Sequence, residues 1–144
     1  MTKKTDTHLK AGSLNTAPVE LEWLAKSEQE KVRKRVASNQ ACKVDTLMML
    51  AVDASKEVRR SVALNPAASC TTLVKLSYDS SPDVRFALAE SVRTPMAILR
   101  RLKADDPNPY VRQRAEETIK GIEEFLLEVR QNHHALCFQD HLAN

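Results

Sequence analysis

The chain has 144 residues, 42% of them hydrophobic and 28% charged, with a formal net charge of +3. That is room for one ordinary soluble domain with a buried core. Two glycines and 4% aromatics exclude β-sandwiches, Rossmann folds and P-loop folds, which need Gly at tight turns and phosphate cradles, and an isoelectric point of about 8.8 falls short of a dedicated polyanion binder.

Met1 to Pro18 is polar and lacks the apolar core of a signal peptide. Residues 1–16 are expected to form a flexible segment. Thr16-Ala17-Pro18 then resembles a cap with Pro in the first helical turn, opening a helix to about Lys26. Trp23, between Leu21 and Leu24 on that helix, is expected to cover the N-terminal edge as a lid.

From Leu21 onward the sequence repeats with a step of 26. Leu21, Leu47, Leu73 and Leu99 keep it, as do Leu24, Leu50, Leu76 and Leu102. Val32-Arg33, Val58-Arg59 and Val84-Arg85 follow in register, with Val36-Ala37, Val62-Ala63 and Leu88-Ala89 behind them. The fourth copy, Val111-Arg112, is displaced by one residue, which Asp106-Pro107-Asn108-Pro109 absorbs. Asn39, Asn65 and Ser91 close the units.

Each unit predicts two helices. Leu-x-x-Leu puts two apolar groups on one helical face. Ser or Asp then offers a cap, as at Ser55 and at Ser80-Ser81-Pro82. Val-Arg-x-x-Val-Ala gives a second amphipathic helix, which Asn-Pro ends. One such pair cannot bury its apolar faces alone, so neighbours stack. About four pairs fit residues 17–120. Ile119, Ile122, Phe125, Leu126 and Val129 continue at helical spacing and predict a helix that caps the open end of the stack, completing a repeat domain over 17–130. Residues 131–144 form a polar tail.

The units, best seen in Leu47 through Asn65-Pro66 and in Leu73 through Ala89, resemble the leucine-rich repeat variant, within the HEAT-like group of helical repeats. The resemblance implies an all-α fold: a right-handed α-solenoid of about four helical hairpins with a C-terminal capping helix. It says little about activity, since HEAT-like proteins bind proteins, act on DNA as glycosylases or attach bilins. The cysteine cluster that binds an iron–sulfur centre in one member type has no counterpart, because no cysteine precedes Cys42. The resemblance also implies a structural ladder between adjacent units, formed by Asp53, Arg59, Asp79, Arg85, Asp105 and Arg112, with Ser27 and Arg33 at the same offsets in the first unit.

The remaining basic residues carry the functional expectation. Positions beside the ladder arginines should face a concave groove that starts basic and becomes mixed: Lys31, Lys34 and Arg35, then Glu57, Arg60 and Ser61, then Asp83, Phe86 and Ala87, then Gln113 and Arg114. Of these, Lys31, Lys34, Arg35, Arg60, Phe86 and Arg114 are the expected partner-binding residues. The aromatics are scattered, without a base-stacking platform. No Gly-x-Ser-x-Gly, His-Glu-x-x-His or Walker motif occurs, so no catalytic site and no cofactor is expected. His133, His134, Cys137 and His141 match no structural-zinc spacing and read as a polar tail without metal. Three cysteines without Cys-x-x-Cys suit a reducing cytoplasm, with Cys42 and Cys70 as buried or half-buried fillers. No run approaches the roughly 18 apolar residues of a membrane span. The expectation is a cytoplasmic, non-enzymatic binding module for a protein partner. Nucleic-acid binding through the basic groove is the alternative, with a monomer or a weak dimer through the C-terminal helix.

Overall fold

The computed structural model describes the backbone of residues 2–142 and the side chains of residues 7–131. Every regular element among them is a helix: α1 (Thr2–Gly12), α2 (Pro18–Leu24), α3 (Glu30–Ala37), α4 (Val44–Leu50), α5 (Lys56–Leu64), α6 (Cys70–Leu76), α7 (Pro82–Glu90), α8 (Met96–Asp105) and α9 (Pro109–Leu142). Local chemistry sets the starts. Pro18 and Pro82 open α2 and α7 with their fixed φ, at positions whose N–H would have no helical partner. Ser55 and Ser69 cap α5 and α6 by accepting from the N–H groups of Glu57 and Thr72, each at 3.2 Å.

The second helices of the sequence repeat pack in order, α3 on α5, α5 on α7 and α7 on α9, and α2, α4, α6 and α8 pack against the second helices beside them. The repeated apolar positions meet between these rows. Leu21, Leu47, Leu99, Val36, Val58, Val62, Val84 and Leu88 are fully buried, and Leu24, Leu50, Leu76 and Val32 nearly so. Fully burying each of these side chains contributes about 1.5–3 kcal/mol, so the spacing of 26 sets the fold by placing these leucines and valines on the shared face.

A buried amide links the ends of successive second helices. Asn39 donates from Nδ2 to the carbonyls of Ala11 and Ser13 at 3.0 and 2.8 Å, while its Oδ1 accepts from the Ala41 N–H. Asn65 repeats this on the carbonyls of Ala37 and Asn39 at 2.7 and 2.9 Å, accepting from Ala67. These bonds satisfy carbonyls at helix ends.

Four expectations need correction. Residues 1–16 contain α1, which packs on α3 and buries Ala11 completely; Ala11 stands 26 residues before Ala37, in the same register. α1 therefore covers the N-terminal edge, and Trp23 is no lid: it is 70% exposed on α2. The C-terminal helix does not cap the stack. α9 buries Val111, Ala115 and Ile119 against its neighbours, then runs on with Phe125, Leu126 and Val129 exposed, because a straight helix without a turn cannot fold back over the end. Cys42 is buried as expected, whereas Cys70 is exposed, since it opens α6 on an outward position.

Candidate functional site

The arginines of the second helices form a regular ladder at one edge of the structure. Arg33 donates from Nε and Nη2 to both carboxylate oxygens of Asp53, at 2.6 and 3.0 Å, and from Nη1 to the carbonyls of Ser27 and Glu28. Arg59 does the same with Asp79 and with the carbonyls of Asp53 and Ala54. Each carboxylate also accepts a backbone N–H two residues on, from Ser55 and Ser81. Such bidentate forks fix both distance and angle between neighbouring units.

The third rung corrects the sequence reading. Arg85 pairs with Asp106, at 2.7 and 3.1 Å; Asp105 is exposed and outside the ladder. α8 carries the extra residue of the fourth unit as an added helical position, so the carboxylate that reaches the turn is one place later. Asp106 accepts from the Asn108 N–H as Asp79 accepts from Ser81. Arg112 closes the series by donating to the Asp106 carbonyl.

The ladder is electrostatically matched. Burial alone would raise the Asp53 and Asp79 carboxyls, but the arginine bonds, the backbone N–H groups and the flanking positive charges outweigh it and hold both below the ordinary carboxylate range. Bonds to the facing carboxylates raise Arg33, Arg59 and Arg85 above their ordinary value. This arrangement binds units to each other.

Of the expected partner-binding residues, Lys31, Lys34, Arg35 and Arg114 are exposed on the second helices, and Arg60 and Phe86 are half-buried there. Lys34 pairs with Glu57 at 3.3 Å and Arg60 with Glu90 at 3.8 Å, each bridging adjacent second helices. Lys56 and Asp83 bridge α5 and α7 at 2.5 Å. Arg114 pairs with Glu117 at 3.3 Å and lies over the ring of half-buried Phe86, 5.5 Å from its centroid. Lys31 and Arg35 line a cleft of about 360 Å³ with His8, Gly12 and Ser38. Arg35 approaches His8 Nε2 at 3.5 Å and lies so close over Gly12 that a Cβ there would collide with its guanidinium. Ser61 and Ala87 are buried rather than facing a groove; Ser61 turns its hydroxyl to the Glu57 carbonyl.

The opposite face holds a feature the sequence reading missed. Met48 and Met49 on α4 are 48% and 40% exposed, and Val52 just beyond them 58%. In the repeat register Trp23 on α2 corresponds to Met49, Val74 on α6 to Met48, and Tyr78 just beyond α6 to Val52, all exposed. Glu22, Lys26, Lys75 and Arg100 occupy the same register positions in neighbouring units. Arg101 reaches back to the Ser77 carbonyl and stacks on the Tyr78 ring, 4.0 Å from its centroid. The signal was present: positions two and five residues after the first leucine of each unit are outward on the first helix, and apolar residues there have no core to fill.

Among the described residues, no group of three His, Cys, Asp or Glu side chains is placed to hold a metal, and no helix is long and apolar enough to cross a membrane. The side chains of His133, His134, Cys137 and His141 lie outside the described residues. Comparison with models of protein families, with curated proteins and with solved structures finds no match to this chain.

Proposed function

We propose that the chain is a HEAT-like α-solenoid, akin to the leucine-rich repeat variant, and that it works in the cytoplasm as a non-enzymatic module that binds a protein partner. The observation that carries the reading is the run of exposed apolar side chains Met48, Met49 and Val52, with exposed Trp23, Val74 and Tyr78 at the equivalent positions of the adjacent units. An apolar centre with a charged rim is the make-up of a protein interface, where Trp, Tyr, Met and Arg supply most of the binding energy.

The second-helix face supports a protein partner over nucleic acid. Lys31 and Arg35 line the cleft near His8, but four other cations of this face are engaged: Lys34 with Glu57, Lys56 with Asp83, Arg60 with Glu90 and Arg114 with Glu117. Binding phosphate there would require each bridge to open, and acidic partners would remain beside the nucleic acid. Phe86 under Arg114 gives this face its own apolar anchor, so a partner held in the groove is the second reading.

The test compares proteins captured by the immobilised full chain and by two variants. Met49→Glu with Trp23→Ala should abolish capture if the first-helix face binds, and Arg35→Ala with Arg60→Ala and Phe86→Ala should abolish it if the groove binds. Capture unchanged in both sinks the reading. Fluorescence anisotropy of a generic DNA duplex at low and physiological salt serves as the counter-test: tight binding that weakens steeply with salt would replace protein binding by phosphate contacts.

A further inference from the structure

Two cations of the second-helix face are left without a carboxylate. Among the described residues, neither Asp nor Glu pairs with Lys31, and the Arg35 guanidinium meets only His8 Nε2, at 3.5 Å. Both line the cleft of about 360 Å³ between α1 and α3, and no Asp or Glu is among its described lining residues. Lys34 lines it too, sharing its charge with Glu57. The walls are joined beneath: Asn39 ties the end of α3 to that of α1 through the Ala11 and Ser13 carbonyls. Gly12, the last residue of α1, leaves the space in which the Arg35 guanidinium lies, since a Cβ there would collide with it. Nothing local accounts for Lys31. It stands in the first turn of α3, where a positive charge opposes the helix dipole. It also stands at i, i+3 with Lys34 and at i, i+4 with Arg35, and like charges at such spacings destabilise a helix.

We infer that this cleft binds a phosphate monoester. Charge sets the ligand class. Lys31 and Arg35 bring two positive charges that no described carboxylate balances. A phosphate monoester brings about 1.5 to 2 negative charges near neutral pH, whereas a carboxylate or a phosphodiester brings a single one. The residue types agree: an arginine fork matches two phosphate oxygens, and a lysine supplies a point charge for a third. The volume is that of a small-ligand site. A duplex backbone would need further free cations along the face, and there Lys56, Arg60 and Arg114 are bridged to carboxylates. The phosphate comes either from a small phosphate or from a phosphorylated side chain.

Isothermal titration calorimetry on the full chain at constant ionic strength tests the site. The ligands are inorganic phosphate and a phosphoserine peptide, with the unphosphorylated peptide as control. Saturable one-to-one binding of the phosphates, and none of the control, is expected. Tighter binding of the phosphopeptide identifies a phosphorylated side chain as the source, and tighter binding of inorganic phosphate a small molecule. Lys31→Glu, at an exposed position that keeps the fold, should weaken binding about tenfold or more. Arg35→Lys, which keeps the charge and loses the fork, should weaken it about tenfold. Lys56→Ala, on α5, should leave it unchanged. No saturable binding of either phosphate, binding indifferent to Lys31→Glu, or displacement by duplex DNA at equal phosphate concentration overturns the inference. Protein capture through Met48, Met49 and Val52 uses none of these residues, so the two readings fail separately.

Discussion

Ser91 stands in the register of Asn65, and each side chain receives the N–H two residues on: Asn65 Oδ1 from Ala67 at 2.8 Å, Ser91 Oγ from Arg93 at 3.3 Å. The shorter serine has no Nδ2 to reach back. Among the described residues no side chain donates to the carbonyls of Ala63 and Asn65, which correspond to the two that Asn65 bonds one unit earlier. A gap of about 110 Å³ lined by Ala63, Asn65, Ser91 and Thr94 lies there. Ser91→Asn should therefore stabilise the chain by about 1 kcal/mol, the usual net value of an added hydrogen bond. The thermal midpoint should rise by about 3 °C for a protein of this size. The reverse change, Asn65→Ser, should destabilise by about 2 kcal/mol, since it takes the amide donor from the buried Ala37 carbonyl and one of two donors from that of Asn39. Thermal unfolding followed by circular dichroism reads both, and equal midpoints for all three proteins would refute the amide link.

The third rung distinguishes adjacent aspartates. Asp106 has no exposed side-chain surface and Arg85 only 10%, so removing the carboxylate strands a guanidinium in a dry place. Asp106→Ala should destabilise by about 3 kcal/mol. Asp105→Ala, at an exposed helix end, should stay within about 0.5 kcal/mol of the parent. Urea denaturation midpoints check this directly, and a larger effect at Asp105 would reverse the assignment.

Acid should loosen the stack through the first two rungs. Asp53 and Asp79 titrate below the ordinary carboxylate value in the folded state, which is about 3.9 in an unfolded chain. The unfolded chain thus binds protons first on acidification. The rungs' contribution is complete above about pH 4 and is lost as pH falls through that value toward the lower folded one. Chemical denaturation between pH 6 and pH 2.5 should show stability falling most steeply below pH 4. Asp79→Asn should lower stability at pH 6 and flatten the fall; an unchanged acid limb would show that other carboxyls govern it.

The repeated leucines and valines made the helical body legible, because a fixed step puts the same chemistry on the same face in each unit. The ladder arginines were equally plain. Its last carboxylate was not: Asp105 and Asp106 are neighbours, and only the path of α8 decides which one meets Arg85. α1 was hidden because it shares with the repeat only Ala11 and Ser13, and Thr7 stands where Arg33 would predict a rung. The apolar stripe of α9 was visible, yet periodicity reports which side of a helix is apolar and says nothing of what lies against it. The same limit applies to Met48, Met49 and Val52: an apolar residue at an outward register position is informative only once inward and outward are known.

The two described cysteines should separate by reactivity. Cys42 is buried, and burial, outweighing a bond from Thr46, pushes its thiol up to about 11; at pH 8 almost none of it is thiolate, the reactive form. Cys70 is exposed at the start of α6. In a Cys137→Ser background, a disulfide-exchange reagent at pH 8 should modify one thiol promptly and the second only at the rate of opening or unfolding. Cys70→Ser should remove the prompt phase, and urea should bring Cys42 into it. Prompt reaction at Cys42 in the native protein would mean that α4 lifts from the core in ordinary solution. The packing of Leu47 and Leu50 beneath it would then be looser than their complete or near-complete burial implies.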